Sequence, residues 1–169
     1  MPTDEELVKV VKDYLHKRSA ANDKDFLFAT ERIDMKVVHQ LTFEAHRRQF
    51  SFFIDEPPER GGRDVGLNPL AYFIAGAASC LLNQYGMLAM GRDMPLQGTL
   101  SARATFERKM GGSFNEIEYD IRLESTAPEG DIRKLANDAL SMCYANNTMR
   151  KAGVRIVMEV YLNGKPLPE

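Results

Sequence analysis

A long apolar stretch opening at Asn68-Pro69 limits the possible folds more than any other part of the sequence. Asn is a favourable helix N-cap and proline is favourable in the first helical turn, so this pair predicts a helix start. Over the next twenty or so residues, glycine is the only helix breaker. Residues from Ala75 to Cys80 are small and largely apolar, which permits close backbone contact. The sequence therefore predicts a long, buried central helix with Cys80 in its middle.

Segments of alternating apolar residues flank this helix on both sides. They predict two paired strands between about residues 33 and 55, and a long hairpin formed by residues 96–109 and 114–125. A further helix with one apolar face ends near Cys143, and a last strand follows. Spacings of three and four between apolar residues predict an outer amphipathic helix over residues 4–18, capped by Thr3. The order α-ββ-α-ββ-α-β indicates an α+β fold.

Length and composition exclude several classes of protein. A chain of 169 residues with 44% apolar content is sufficient for one core, so residues 1–169 are predicted to be a single domain, with residues 1–20 as an N-terminal helical extension. The net charge of −2 gives no basic surplus for nucleic acid. The acidic start is unlike a secretory signal, and no apolar run approaches the length of a membrane span. A soluble, cytoplasmic protein is the expectation.

Cys80 and Cys143 are the only two cysteines, too few for a disulfide scaffold and without CxxC spacing. Composition alone favours two buried structural cysteines, and a redox pair is the alternative. Three histidines, at 16, 39 and 46, fall on different predicted elements at no ligand spacing, so no metal site is expected. The Gly61-Gly62 pair lacks the remaining residues of a nucleotide-binding motif, and no cofactor is predicted.

Two segments resemble the OsmC/Ohr family, the osmotically inducible and organic hydroperoxide resistance proteins. They are DEPPERGGRDVGLNPLAYFIAGAASC, which ends at Cys80, and LANDALSMCYANNTMRKAGVRIVMEV, which contains Cys143. The similarity extends over roughly residues 33–164. It implies an intertwined homodimer in which antiparallel sheets pack around long central helices. It also implies reduction of organic hydroperoxides by thiols, with a dithiol reductant and without metal or flavin.

The same resemblance implies that Cys80 is the peroxidatic thiol and Cys143 the resolving thiol. The predicted position of Cys143 near a helix C-terminus agrees with this, because the helix dipole opposes thiolate formation there. Cys80 lies beyond the first turn of its helix and so needs a nearby cation for activation. Arg60 and Arg63, in the preceding loop, are the nearest candidates by sequence.

One position differs from the family pattern. Peroxidase members carry a glutamate directly after Asn-Pro, which orients the catalytic arginine, and this sequence has Leu70 there. Either Glu56 or Glu59 replaces it, or the chain belongs to a less characterised OsmC-like branch. Tyr144 also replaces the proline that commonly follows the second cysteine. The alternatives to a peroxidase are a hydrophobic-ligand-binding or redox-sensing protein without turnover, and a structural dimer with inert thiols.

Overall fold

The computed structural model describes residues 4–20 and 28–168, so the predicted cap at Thr3 lies outside the described residues. Its elements confirm the predicted α+β class. The described helices are α1 (Asp4–Ala20), α2 (Pro69–Gly91), α3 (Glu129–Met142) and α4 (Tyr144–Lys151). The described strands are β1 (Asp34–His39), β2 (Thr42–Arg47), β3 (Phe50–Ile54), β4 (Gln97–Phe106), β5 (Phe114–Glu124), β6 (Arg155–Leu162) and β7 (Lys165–Pro166).

The first sheet is an antiparallel meander in the order β1-β2-β3, where the sequence predicted only two strands. Two-residue turns separate the three strands, and each contains a residue with positive φ: Gln40 at 43° and Arg48 at 55°. Such turns usually use glycine, asparagine or aspartate, so these two gave no turn signal in the sequence. The sheet joins the rest of the chain through the Tyr72 hydroxyl, which donates a 2.7 Å hydrogen bond to the Phe53 carbonyl.

An irregular loop joins the first sheet to α2, as its Pro- and Gly-rich sequence predicted. Asp55 holds this loop because its buried carboxylate accepts backbone N–H groups of Glu56, Arg63 and Val65. The chain passes so close to itself that a Cβ on Gly62 would collide with the Glu56 carbonyl. Glycine is therefore required at this position by space.

The second sheet has the order β4-β5-β6-β7 and shares the core with α2, α3 and α4. Strands β4 and β5 form the predicted hairpin, and four alternate residues of β5 are almost fully buried: Ile117, Tyr119, Ile121 and Leu123. Strand β6 pairs with β5 in parallel, so the expectation of purely antiparallel sheets is wrong for this pair. Two helices, α3 and α4, lie between β5 and β6 in sequence and make the crossover that a parallel pair needs.

Helix α2 is the predicted central helix. The Asn68 side chain caps it by accepting a 2.9 Å hydrogen bond from the Ala71 N–H. By length and composition α2 could cross a bilayer, which corrects the expectation that no stretch approaches that length. The buried core helix of a soluble protein passes the same test, and α2 buries Leu81 and Tyr85 against α3 and the second sheet.

The prediction for α1 agrees with the structure, whereas the prediction for the helical region around Cys143 agrees only in part. Helix α1 lies on the outside, as predicted, and none of its residues is buried. Its Leu15 packs on the core and contacts α2 near Gly91. The helix predicted to end near Cys143 is instead followed at once by α4, so Cys143 stands between two helices.

Candidate functional site

Cys80 and Cys143 come together in the core. Their Sγ atoms lie 3.5 Å apart, and both cysteines are unbonded thiols. A disulfide has an S–S distance near 2.05 Å, so a shift of about 1.5 Å would join them. Cys143 is 0% exposed, whereas Cys80, on α2, is partly exposed. The pair therefore has one thiol open to solvent and one enclosed beside it.

Cys143 occupies the junction of α3 and α4. Its backbone is extended there, with φ −76° and ψ 110°, and its carbonyl accepts a 2.9 Å hydrogen bond from the Asn147 N–H. Cys143 is the C-cap residue of α3, which agrees with its predicted position at a helix C-terminus, but it is also the N-cap residue of α4. The N-terminal end of a helix favours negative charge. The argument from helix position consequently does not assign its role.

Burial dominates the acidity of Cys143 instead. Removal from water raises the pKa of its thiol to about 11, and backbone N–H groups of Asn146 and Ala145 oppose that rise. The S–H hydrogen bond from Cys143 to the Cys80 sulfur is a smaller contribution to the same rise in pKa, because it uses the proton. Cys143 thus remains a thiol at neutral pH and can donate its proton toward Cys80.

A buried polar pair lies close to the two thiols. The Tyr119 hydroxyl donates a 2.8 Å hydrogen bond to Oδ1 of Asn146, and both residues are at most 1% exposed. Burial, and then the nearby sulfurs of Cys143 and Cys80, raise the pKa of Tyr119, so its phenol stays protonated. Nδ2 of Asn146 has no hydrogen-bond partner among the described residues. The sequence gave no indication of this pair, which joins β5 to α4.

Arg60 and Arg63, the predicted cations, stay with the first sheet in the described chain. Nη1 of Arg60 lies 3.3 Å from a carboxylate oxygen of Glu56, four residues earlier. Nη2 of Arg63 lies 3.2 Å from Nε2 of His39. Among the described hydrogen bonds, neither arginine reaches the sulfur of Cys80.

A different arginine adjoins the elements that carry the cysteines. Nη1 of Arg18, on α1, donates a 2.9 Å hydrogen bond to Oε1 of Gln84, and Nη2 donates a 2.6 Å hydrogen bond to the Met142 carbonyl. Its guanidinium also lies over the Tyr144 ring, 4.6 Å from the centroid. The sequence interpretation missed Arg18. The sequence feature that could have identified Arg18 is its spacing, which puts this basic residue on the same face of α1 as the half-buried Val8, Val11 and Leu15.

The face of α2 that carries Cys80 is partly exposed. Phe73, Gly76 and Cys80 follow i, i+3, i+7 spacing and so share one helical face. A Cβ on Gly76 would meet nothing within 4 Å. Phe73 is 48% exposed and stacks on Phe114 at 5.1 Å, and Phe106 packs edge-on to Phe114 at 5.7 Å. An apolar, partly open surface therefore begins two turns before Cys80.

Two other expectations concern residues around this site. Leu70 is half-buried in the first turn of α2, where it offers no hydrogen-bond acceptor to an arginine. Within residues 4–20 and 28–168, no group of three His, Cys, Asp or Glu side chains is arranged to hold a metal ion.

Comparison with known proteins identifies the family. The model of the family described as OsmC-like protein matches residues 61–159, which include both cysteines. No curated protein matches the sequence significantly. An OsmC-like protein from Mycoplasma pneumoniae has a similar structure, with a TM-score of 0.66 and 21% identity, over 79% of this chain and 97% of that one.

Two organic hydroperoxide resistance proteins also share the fold. The Legionella pneumophila protein has a TM-score of 0.59 and 18% identity, over 79% of this chain and 98% of that one. The Elizabethkingia anophelis protein has a TM-score of 0.60 and 17% identity, over 80% of this chain and 99% of that one. The matched fold and the matched sequence region contain the Cys80–Cys143 pair, and this chain belongs to the OsmC-like protein family.

Proposed function

We propose that this protein is a thiol-dependent peroxidase that reduces organic hydroperoxides through Cys80 and Cys143. The observation that carries the proposal is the 3.5 Å separation of the two sulfurs, one of which is partly exposed. Two structural cysteines need not meet, whereas a peroxidatic and a resolving thiol must. Membership of a family with structural neighbours named for hydroperoxide resistance supports the same reaction class.

The reaction proceeds in three balanced steps. The Cys80 thiolate attacks the terminal oxygen of ROOH, the O–O bond breaks, and the departing alkoxide takes a proton to become the alcohol ROH. Cys80 is then a sulfenic acid. The Cys143 sulfur attacks the Cys80 sulfur, the S–O bond breaks, and water leaves as the disulfide forms. A dithiol reductant exchanges with this disulfide, returning both cysteines as thiols and itself becoming a disulfide.

The exposure of Cys80 and the raised pKa of Cys143 support this division of roles. Cys80 is the thiol that a hydroperoxide can reach, because Cys143 is enclosed. The raised pKa keeps Cys143 protonated, so its thiol hydrogen is available to leave with the Cys80 hydroxyl as water when the disulfide forms. This division agrees with the one that the family resemblance implies. It does not depend on the helix dipole.

The surface beside Cys80 favours an apolar substrate. Phe73, Phe106 and Phe114 form an aromatic cluster on the approach to the cysteine, and Gly76 leaves the space between them open. An aryl or alkyl hydroperoxide would bury apolar area against this cluster, whereas hydrogen peroxide has none to bury. The preferred substrates are therefore organic hydroperoxides.

The proposal extends to the assembly. Exposed apolar side chains on the first sheet include Met35, Val37 and Phe50, each more than 60% exposed. Such a surface is typical of a protein interface, and we assign it to the intertwined homodimer. Arg60, paired with Glu56, and Arg63 reach a thiol only if their loop approaches a cysteine pair in the dimer. The proposal also includes the domain organisation and the location: the chain is a single OsmC-like domain with residues 1–20 as a helical extension, and it acts in the cytoplasm.

Purified protein should consume cumene hydroperoxide when a dithiol such as reduced lipoamide is present. Cys80→Ser should abolish consumption, whereas Cys143→Ser should turn over more slowly than the parent, because its sulfenic acid must react directly with the external dithiol. Equal turnover by the parent protein and Cys80→Ser would exclude the mechanism. Turnover by the Cys143→Ser variant at the parent rate would show that Cys143 takes no part in the mechanism.

The second candidate is a hydrophobic-ligand-binding or redox-sensing protein without turnover. An apolar groove of about 500 Å³ between α2 and β4 favours it, lined largely by alanine and leucine with Ile74. Helical geometry places this groove on the side of α2 away from Cys80. Native mass spectrometry that finds a copurified apolar molecule, in protein that consumes no hydroperoxide, would favour this candidate.

A further inference from the structure

Helix α1 lies outside the part of the chain that matches the family, yet it docks onto the helix that carries Cys80. The family match begins at residue 61. Leu15 packs against the core, and Nζ of Lys12 forms a 2.7 Å ion pair with a carboxylate oxygen of Asp93, just after α2 ends. These two contacts lie at the C-terminal end of α2, beyond the segment that carries Cys80.

Helix α1 makes a further contact through Arg18, which binds next to both cysteines. Gln84 is one turn after Cys80 on α2 and only 4% exposed. The Met142 carbonyl belongs to the residue directly before Cys143, at the end of α3, where backbone carbonyls lack helical partners. One guanidinium thus joins the α2 segment after Cys80 to the chain segment before Cys143.

The planar geometry of the guanidinium makes the contact between Arg18 and its two acceptors rigid. A guanidinium is planar, and its two terminal nitrogens hold their acceptors at a fixed spacing. Arg18 uses both nitrogens, one on each side of the cysteine pair, and the Tyr144 ring covers its face. The two segments that Arg18 joins are those that must stay in register for the sulfurs to close from 3.5 Å to a bond.

We propose that Arg18 is a positioning residue for the dithiol, clamping α2 to the α3–α4 junction so that Cys80 and Cys143 remain within reach of a disulfide. Helix α1 is then a working part of the thiol site. The inference rests on the proposed function only in requiring a reversible Cys80–Cys143 disulfide. Hydroperoxide turnover is not needed for it.

The test is thiol–disulfide exchange with dithiothreitol. Protein dithiol and oxidised dithiothreitol exchange to protein disulfide and reduced dithiothreitol, so the equilibrium constant reports how closely the thiols are held. Arg18→Met should lower this constant about tenfold, equivalent to about 30 mV in the potential of the pair. Arg18→Lys should restore little of it, because one ammonium cannot span both acceptors as the guanidinium fork does.

Lys12→Met is the matched control, since it removes a charged contact of α1 with the chain after α2 and leaves the cysteine neighbourhood intact. It should leave the constant unchanged. Gln84→Met tests the clamp from its other end and should lower the constant several-fold, which keeps the test decisive if Arg18→Met does not fold.

Three results would overturn the inference: a parent-like constant for Arg18→Met or, should that variant not fold, for Gln84→Met; an equal shift in Lys12→Met; or full restoration by Arg18→Lys. A parent protein that forms the disulfide but consumes no hydroperoxide would refute the proposed peroxidase and leave this inference standing. A parent protein that forms no disulfide would overturn both.

Discussion

The Tyr119 hydroxyl and the Asn146 side chain form a 2.8 Å hydrogen bond in the core, between β5 and the helix that begins after Cys143. Asn146 is completely buried, and its Nδ2 has no partner among the described residues. Within the described part of the chain, the Tyr119 hydroxyl is therefore the one hydrogen-bond partner of the Asn146 side chain. The backbone N–H of Asn146 donates to the Cys143 sulfur. Tyr119 thereby contributes to the position of the resolving thiol.

Tyr119→Phe should lower the free energy of unfolding by about 1–3 kcal/mol, because the variant leaves a buried amide without a partner. Urea denaturation measures the change. Tyr161→Phe is the control: its hydroxyl makes an exposed 3.4 Å contact with Glu159, so its removal should change stability by less than about 0.5 kcal/mol. Equal losses in the two variants would mean that the buried hydrogen bond contributes nothing specific.

The raised pKa of Cys143 predicts a particular pH dependence. In Cys80→Ser protein, thiolate absorbance should show Cys143 titrating above its ordinary pKa of 9.0, since burial is the largest cause of the shift. A folded-state pKa above the unfolded one means that the unfolded state loses its proton first as pH rises. Stability should therefore fall between pH 9 and pH 10, by at most about 1.4 kcal/mol per pH unit for this one group.

Cys143→Ala is the control for this pH dependence. It should lose less stability than the parent between pH 9 and pH 10, because the tyrosines that begin to titrate in this range are the same in both proteins. Titration of Cys143 at or below 9 in the Cys80→Ser protein would contradict the role of burial and weaken its assignment as the protonated partner.

The sequence predicted the helix of Cys80 because its start is encoded locally. Asn68-Pro69 is a capping signal within two residues, and the cap is present at 2.9 Å. The position of Cys143 was predicted less well, since no proline or glycine marks the break between α3 and α4. The residues after Cys143 continue a helix, so only packing reveals that the chain turns there.

The contacts of Arg18 are of the long-range kind that a single sequence does not encode. Its acceptors lie 66 and 124 residues further along the chain. The search for a cation near Cys80 followed sequence proximity and selected Arg60 and Arg63, which the described chain places beside Glu56 and His39. Proximity along the chain is a poor guide in a fold whose core joins helices and strands that are far apart in the sequence.

Open space at Gly76 predicts that a side chain there will obstruct the hydroperoxide. Gly76→Leu should raise KM for cumene hydroperoxide about tenfold, because the added group occupies the helical face shared by Phe73 and Cys80. The fold should not suffer, since replacing a mid-helix glycine can stabilise by up to about 1 kcal/mol. Steady-state kinetics at varied hydroperoxide concentration provides the measurement.

Gly86→Leu is the matched control for Gly76→Leu. Gly86 is also in α2, and a Cβ added to it would likewise meet nothing within 4 Å, but it is on a different face from Cys80. Its KM should match that of the parent. If both variants keep the KM of the parent, the substrate binds elsewhere. If KM rises equally in both variants, the substitutions have a general effect on the helix.

The loop that carries Arg60 and Arg63 depends on Asp55, which is 1% exposed. Burial raises the pKa of its carboxyl, but hydrogen bonds from the backbone of Arg63, Val65 and Glu56 and from the Thr42 side chain lower it by more. The net pKa is lowered, so the contribution of Asp55 to stability is present at neutral pH. It is lost as pH falls from the unfolded value of about 3.9 through the folded one.

Asp55→Asn imitates the protonated state at neutral pH and should loosen the loop, because an amide replaces one acceptor oxygen with a donor. Trypsin should then cleave after Arg60 and Arg63 faster than in the parent. Asp64→Asn removes the same charge from the same loop, and asparagine tolerates the positive φ of 58° found there, so its cleavage rate should stay near that of the parent. Similar acceleration in both variants would show that loop charge, and not the buried hydrogen bonds of Asp55, orders this segment.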